Sequence, residues 1–254
     1  MIPLSDDNPT RGKPYILYIL VIANVLVFLV DRVGAVGPFG RLWTLSMIPY
    51  SVIHDMRVVP LLSQVGQIVG ARPDPGIGPH PQWITIFTSM FMHGGWLHLG
   101  GNMLYLWIFG NNIEDALGHV KFLLFYLACG AGAALLHIAS DPGSTIPTVG
   151  ASGAIAGVLG AYLLLYPKAR IRTLIILGYF IDYAEIPAIY VLGVWFLVQF
   201  VSGAMQPISS GGGVAYWAHV GGFVAGIVFI LLLGGRRLVR QQRRGMEPYD
   251  ERYR

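Results

Sequence analysis

Residues 148–157, TVGASGAIAG, place one serine among small residues, just after a loop and at the start of an apolar segment. The segment continues as ASGAIAGVLGAY, so Gly153, Gly157 and Gly160 recur at spacings of three and four residues. This spacing puts the glycines on one face of a helix, where they let a second helix approach closely in a bilayer. Two roles are open for Ser152, a small packing residue or a nucleophile, and its neighbours in space decide between them.

The composition indicates a helical membrane protein. Of the 254 residues, 54% are hydrophobic and only 12% are charged, about half the charged fraction of ordinary soluble domains. The chain also has 33 glycines and six tryptophans, as membrane helices and their interfaces favour. The single cysteine, Cys129, lies in an apolar segment, which excludes an internal disulfide framework and a cysteine-based metal site and favours a small core residue.

Six apolar segments are candidates for membrane-spanning helices, which need about 20 residues with a range of about 17–25. They cover residues 14–31, 95–113, 119–138, 151–167, 186–204 and 216–234. The first lacks a cleavage-site pattern, so we expect a retained helix and not a signal peptide. The predicted fold is an all-α polytopic membrane protein, with a six-helix domain over 14–235 between an N-terminal segment (1–13) and a basic tail (236–254).

Outside these segments, two regions contain apolar stretches that are too short to span the membrane. The connection 32–93 contains seven prolines, and its apolar stretches Leu42–Val52 and Val58–Val69 are predicted as short interfacial helices and turns. Residues 171–183 are placed at the membrane interface, with Pro187 near the start of the fifth helix.

The positive charges predict the orientation of the chain. With the N-terminus inside and six spans, the inner segments hold 13 of the 17 lysines and arginines, counting the flanking Lys121. Cytoplasmic segments carry such an excess, so both termini are predicted in the cytoplasm. The seven arginines after Gly235 favour a topology signal and contact with anionic lipid over nucleic-acid binding.

Polar side chains at membrane depth are costly and indicate function. The second span begins near HGGWLHLGGN, in which His98 and Asn102 are four residues apart and share a helix face. Ser152 lies in the first turn of the fourth span and His219 about one turn into the sixth. Alternate spans run in the same direction, so the topology predicts that all four residues lie near the outer surface at one depth.

Glycines predict that the fourth and sixth spans touch. Gly222 and Gly226 are four residues apart in AHVGGFVAG and are predicted to face the glycines of the fourth span. Ser152 would then meet His219, a base that could activate its hydroxyl. Glu114, Asp115, Asp182 and Glu185 are predicted on the inner side, so the pair would be a dyad and not a triad. His98, Asn102 and the Ser152 backbone N–H, at the positive end of a helix dipole, would suit a developing oxyanion.

These motifs together resemble the rhomboid intramembrane serine proteases, of the prokaryotic type. The matching motifs are His93-x4-His98-x3-Asn102, Gly150-Ala151-Ser152-Gly153 and Ala218-His219-x2-Gly222-x3-Gly226, and FGNNIEDALGHVKFLLFYL is also similar. The resemblance covers roughly residues 83–235.

The resemblance implies a role for each matching residue. Ser152 would be the nucleophile and His219 the general base and then acid, with His98, Asn102 and the Ser152 amide in the oxyanion hole. His93 would be structural, Glu114 would tie helix ends together, and Gly150 and Gly153 would flank the nucleophile. Many members of the family have a Trp-Arg dipeptide in the first loop. This chain lacks it, and Arg41-Leu42-Trp43 is a loose substitute. This departure concerns the packing of the loop and not the dyad.

The expected activity is hydrolysis of a peptide bond in transmembrane segments of membrane proteins, near the outer face of the inner (plasma) membrane. A small residue before the cut is implied by the resemblance, and no cofactor or metal is expected. The fifth helix, with Trp195, Phe196 and Phe200, is either a lateral gate or a row of lipid-facing aromatic residues. The oligomeric state and the physiological substrate stay open.

Two rival functions are left open by the sequence. His93, His98 and His219 could ligate a haem or a metal, since imidazoles bind such centres. The same fold could also serve as a non-catalytic chaperone or binding scaffold.

Overall fold

The computed structural model describes residues 2–33, 43–62, 68–73, 79–177, 179–205 and 214–244. Helices dominate this part of the chain. They are α1 (Tyr15–Arg32), α2 (Pro49–His54), α3 (Thr85–Thr88), α4 (Trp96–Leu117), α5 (His119–Ser140), α6 (Ser152–Leu165), α7 (Ala188–Met205), α8 (Tyr216–Leu232) and α9 (Arg237–Arg244), with 3-10 turns at Trp43–Leu45, Gln82–Ile84 and Ser89–Phe91.

A helix of at least 14 residues lies at each of the six predicted span positions. Among the described residues, α1, α5 and α7 are long and apolar enough to cross a membrane, with 18, 22 and 18 residues. α6 and α8 are apolar but shorter, with 14 and 17 residues. α4 has 22 residues and carries polar side chains near both ends. The described part of the chain is thus mostly helical with three candidate spans, and the six-span topology stays a prediction.

Five short strands show that the all-α prediction is wrong in part. β1 (Ile2–Asp6), β4 (Arg170–Leu177) and β5 (Phe180–Pro187) form one antiparallel sheet in the order β1-β4-β5, and β2 (Val58–Leu62) pairs with β3 (Ile68–Pro73).

Strands form in two stretches where the apolar pattern did not predict them. The stretch 171–183, predicted only to lie at the interface, is most of a hairpin, in which Ile171 and Thr173 are buried and Arg172 between them is exposed. This alternation and the β-branched residues favour a strand. Val58–Val69 contributes to a β-hairpin and not to an interfacial helix, as its β-branched residues favour. Leu42–Val52 includes the predicted short helix, α2, within its described part.

The N-terminal segment is attached to the helical bundle. β1 pairs with β4 in a register that sets Ile2 opposite Leu174, so the N-terminus and the connection after α6 lie on the same side. The Asp6 carboxylate accepts hydrogen bonds from the Tyr162 hydroxyl at 2.6 Å and from the Asn112 amide at 2.8 Å. Burial raises the pKa of this carboxyl, and the two donors offset part of that effect.

The start of α1 and the end of α4 are joined by Glu114, which is 1% exposed. Its carboxylate accepts hydrogen bonds from the backbone N–H groups of Ile16 (2.9 Å) and Leu17 (2.8 Å), and a His119 ring nitrogen lies 2.5 Å away. The first N–H groups of a helix have no partner within the helix, and a carboxylate at this end also interacts favourably with the positive end of the helix dipole. Glu114 therefore stabilises the start of α1 while fixing it beside α4.

The core of the molecule is α6, whose residues from Gly153 to Tyr162 are all buried. Its glycines let neighbouring backbones approach. A Cβ atom on Gly157 would overlap Cys129 of α5 and lie 3.1 Å from the Gly222 carbonyl oxygen of α8. From the other side, Cβ atoms on Gly222 and Gly226 would overlap the carbonyl oxygens of Gly153 and Gly157. The two backbones are therefore in direct contact, and the α6–α8 contact leaves no room for a methyl group.

This contact gives a test of packing with a matched control. We expect Gly226→Ala to lower the free energy of unfolding by about 1–3 kcal/mol or more, because its methyl group would collide with backbone atoms of α6. Gly193→Ala on α7 would place its added carbon more than 4 Å from any atom outside the backbone of its own helix and its chain neighbours, and should leave stability unchanged or slightly raised. Thermal unfolding of both variants in detergent micelles measures the difference. Equal unfolding temperatures would contradict the packing described here.

Candidate active site

Ser152 and His219 are in hydrogen-bond contact. Ser152 is the first residue of α6, and His219 lies one turn into α8. The His219 Nε2 atom is 2.8 Å from the Ser152 Oγ atom, and both side chains are partly exposed. Since the glycine contact fixes α6 against α8, it also fixes the spacing of these two side chains. A serine hydroxyl bonded to an imidazole has the geometry of an activated nucleophile.

The other ring nitrogen of His219 is also engaged. The Nδ1 atom lies 2.7 Å from the Oε1 atom of Gln199, on α7. The Trp195 ring, one turn earlier on the same helix, has its centroid 5.8 Å from that of the His219 ring. His219 thus contacts side chains of both α6 and α7, and each of its ring nitrogens has a hydrogen-bond partner.

Asn102 and His98 lie together near the start of α4. The Asn102 Nδ2 atom is 2.9 Å from the Nε2 atom of His93, and the rings of His93 and His98 meet edge to face with centroids 5.0 Å apart. His93 and Asn102 are 2% and 8% exposed. A carboxamide has two N–H donors, so Asn102 can bind His93 with one and still offer the other.

The backbone just before Ser152 passes beside these side chains at Gly150. This residue has a φ of 125°, a conformation that glycine adopts and other residues avoid. A Cβ atom there would lie 2.7 Å from His98 Nε2 and 3.6 Å from Asn102 Nδ2. Gly150 therefore lets the loop run against His98 and Asn102, two residues before the nucleophile candidate.

The first long connection holds this loop in place. Met47 and Thr148 exchange two backbone hydrogen bonds, of 3.1 and 2.7 Å, and the Gly150 N–H donates to the Ser89 carbonyl at 2.9 Å. The predicted substitute motif of this connection is described only at Trp43, because Arg41 and Leu42 lie outside the described residues. The connection thus positions the backbone that precedes Ser152.

A cavity of about 740 Å³ joins these groups. It is of the size that takes small ligands or a short peptide segment. Its lining includes Ser152, His219, His98, Asn102, Gly150 and Gly153. On another side it is lined by His137, at the end of α5, and by Asp141 in the loop that follows. Both side chains of the pair therefore line one cavity.

The remaining predicted residues lie outside the cavity. His93 lies behind Asn102, and Glu114 binds the start of α1. Gly157, Gly222 and Gly226 form the α6–α8 contact.

The aromatic residues of α7 are not simply lipid-facing. Phe196 stacks on Phe223 of α8 with ring centroids 4.5 Å apart, and Trp195 also faces α8. Phe200 is 45% exposed and meets Trp217 edge to face. α7 is therefore fastened to α8 through aromatic contacts, and its role as a gate stays a prediction.

Sequence reasoning missed Gln199 and His137. Gln199 is the only carboxamide in α7, and a polar side chain within an apolar span indicates function by itself. That signal was present but had no partner assigned to it, since the helices α7 and α8 are neighbours only in the folded chain. His137 gave no comparable signal because it lies in the last turn of its helix, where polar residues are ordinary.

The arrangement defines a class of protein: a helical membrane protein that holds a serine and a histidine in contact on two closely packed helices. The chain belongs to the rhomboid family, whose model, described as a Rhomboid domain, matches residues 80–236, more than half of the chain.

Curated relatives agree with this assignment. Rhomboid-like protein 11, chloroplastic, of Arabidopsis thaliana is 30% identical over 163 residues, which are 60% of this chain and 53% of that protein. Rhomboid protein 1, mitochondrial, of Saccharomyces cerevisiae is 31% identical over 152 residues (58% and 40%). Rhomboid protease GluP of Bacillus subtilis is 28% identical over 224 residues (88% and 36%). The matched part is thus about half of each of these relatives or less.

Gly150 offers a test of the site geometry. We expect Gly150→Ala to lower the rate of fluorophosphonate labelling about 100-fold, because the added methyl group would displace His98 or the loop before Ser152 by roughly 1 Å. Gly143→Ala in the same loop is the control, since its Cβ atom would approach nothing closer than 4.0 Å. Labelling rates of the two purified variants measure the effect. Wild-type labelling of Gly150→Ala would mean that the loop and His98 have room to adjust.

Proposed function

We propose that the protein is an intramembrane serine endopeptidase that cleaves transmembrane segments of membrane proteins. The observation that carries the proposal is the 2.8 Å contact between Ser152 Oγ and His219 Nε2 at the edge of a cavity. Membership of the rhomboid family, and the relative named as a protease in Bacillus subtilis, support the same reaction.

In the proposed reaction, Ser152 Oγ attacks the carbonyl carbon of the scissile peptide while His219 Nε2 takes the hydroxyl proton. The tetrahedral intermediate collapses when His219 gives that proton to the leaving nitrogen, which breaks the C–N bond and leaves an acyl-enzyme. A water molecule then attacks the ester carbonyl, with its proton taken by His219. The second collapse releases the new carboxyl end and returns the proton to Ser152.

The negative charge on the carbonyl oxygen needs donors nearby. The second N–H of Asn102, the His98 ring and the backbone N–H of Ser152 are the groups proposed for this hole. The Ser152 amide lies in the first turn of α6, where N–H groups have no partner within the helix and the dipole favours an anion. Donors fixed in advance stabilise such charge without rearranging during the reaction.

The membrane setting restricts the substrates. A peptide within a helix has its carbonyls hydrogen-bonded, so cleavage needs a segment that unwinds at the level of the cavity. The substrates proposed are therefore membrane proteins with a helix that is locally unstable near the outer face. A small residue before the cut, as in the resemblance above, remains part of the proposal.

The proposed location is the inner (plasma) membrane. In the proposed orientation, both termini lie in the cytoplasm. The pairing of β1 with β4 supports a shared side for the N-terminus and the connection after α6. α9, with the sequence RLVRQQRR, follows α8 on what would be that inner side. Its arginines would bind anionic headgroups of the inner leaflet.

The serine–histidine pair has a direct test. Ser152→Ala and His219→Ala should each lower cleavage of a model transmembrane substrate about 10⁴-fold or more, because each removes a partner of one proton transfer. Both should also abolish fluorophosphonate labelling of the purified protein. Terminal peptide sequencing of cleavage products in wild-type and Ser152→Ala cells identifies the sites cut. Cleavage that survives Ser152→Ala would reject the protease proposal and favour a scaffold of the same fold.

The oxyanion role of Asn102 is tested separately. Asn102→Leu should lower kcat by about 10²–10³ with little change in KM, since the lost donor acts on charge formed in the transition state. Met103→Leu, one residue along α4, conserves volume and should keep wild-type kinetics. Steady-state assays with a fluorogenic transmembrane substrate measure both variants, with unfolding temperature as a check on folding. An Asn102→Leu enzyme with unchanged kcat would remove Asn102 from the hole.

A further inference from the structure

Gln199 binds the ring nitrogen of His219 that is turned away from Ser152. α7 presents one carboxamide along its length, and the Oε1 atom of that side chain is 2.7 Å from His219 Nδ1. On the opposite side of the ring, Nε2 is 2.8 Å from Ser152 Oγ. The three side chains come from α7, α8 and α6, and they form one chain of hydrogen bonds.

The chemistry of these atoms selects one tautomer of the histidine. A neutral imidazole has one N–H, and a carboxamide oxygen can only accept a hydrogen bond. With Oε1 facing it, Nδ1 must carry the proton. Nε2 then presents its lone pair to the serine hydroxyl, as a general base must. The opposite tautomer would point an N–H at Ser152 and could not take its proton.

We propose that Gln199 is a positioning residue that fixes the tautomer and the orientation of His219, so that the dyad is completed by a neutral third member. The inference rests on the proposed function of Ser152 and His219. Gln199 does not touch the reacting atoms and acts only through the histidine. It fills the position that an acidic orienting residue takes in a serine–histidine–aspartate triad.

A neutral acceptor suits this position. Gln199 and His219 are both only partly exposed, and an unpaired charge on α7 would be costly in an apolar setting. The carboxamide oxygen can accept a hydrogen bond from the Nδ1–H group in the resting enzyme and can continue to accept it when the ring becomes positively charged. Trp195, one turn earlier, contacts the same ring, so α7 restricts His219 by both packing and hydrogen bonding.

Kinetics of two variants separate this role from simple packing. Gln199→Leu keeps the approximate volume and removes the acceptor, and we expect kcat to fall about 10- to 100-fold with KM unchanged, as for loss of one buried hydrogen bond. Gln199→Glu restores an oxygen acceptor at the same place and should recover part of the lost kcat, with full recovery prevented by the cost of its charge in an apolar setting. Val198→Leu is the matched control, because Val198 is the neighbouring residue on α7 and is 51% exposed.

The tautomer is measured directly in the wild-type protein. Long-range ¹H–¹⁵N spectra of the ¹⁵N-histidine-labelled protein in micelles, with His219→Ala to assign the signal, should give a protonated Nδ1 and an unprotonated Nε2. In Gln199→Leu the signals should move towards the other tautomer, while the unfolding temperature stays near that of Val198→Leu.

Three results would overturn the inference: a protonated Nε2 in the wild type, wild-type kcat in Gln199→Leu, or a kcat of Gln199→Glu no higher than that of Gln199→Leu. These outcomes differ from failure of the proposed function, which would appear as cleavage by Ser152→Ala. If Ser152→Ala abolishes cleavage and Gln199→Leu leaves it unchanged, the proposed dyad stands and only the role of Gln199 is rejected.

Discussion

The structure depends on the direct contact between the backbones of α6 and α8. In lipid the hydrophobic effect does not drive helices together, so association relies on close packing and on hydrogen bonds between helices. Gly157, Gly222 and Gly226 provide that packing, because atoms of the neighbouring helices take the place of their side chains. The contact also brings Ser152 to His219, so the packing and the chemistry of the site have a common origin.

The polar groups of the site are stabilised by one another. Ser152, His219 and Gln199 form one chain of hydrogen bonds, and Asn102 is bound to His93 in another. Each bond offsets part of the cost of keeping a polar group away from bulk water. Because the partners lie on different helices, the same bonds that satisfy these groups also align the helices that carry them.

Hydrogen bonds between distant parts of the chain fix the two ends of the bundle. At one end Glu114 caps α1, and Asp6 binds Tyr162 of the central helix. At the other, Met47 and Ser89 of the first long connection hold the loop that leads to Ser152. Ser152 therefore begins a helix whose two ends are both restrained, which suits a site that needs its groups fixed in advance.

The sequence by itself determined the helical class, the helix positions and the motif residues, because apolar length, glycine spacing and isolated polar residues are local signals. It did not determine the strands of 171–183 and Val58–Val69, where an apolar stretch fits a helix or a strand until pairing selects one. It also left Gln199 without a role. Only the tertiary structure decided that α7 brings this side chain to His219, since a hydrogen bond between two helices depends on their rotation and depth, which no spacing within either helix encodes.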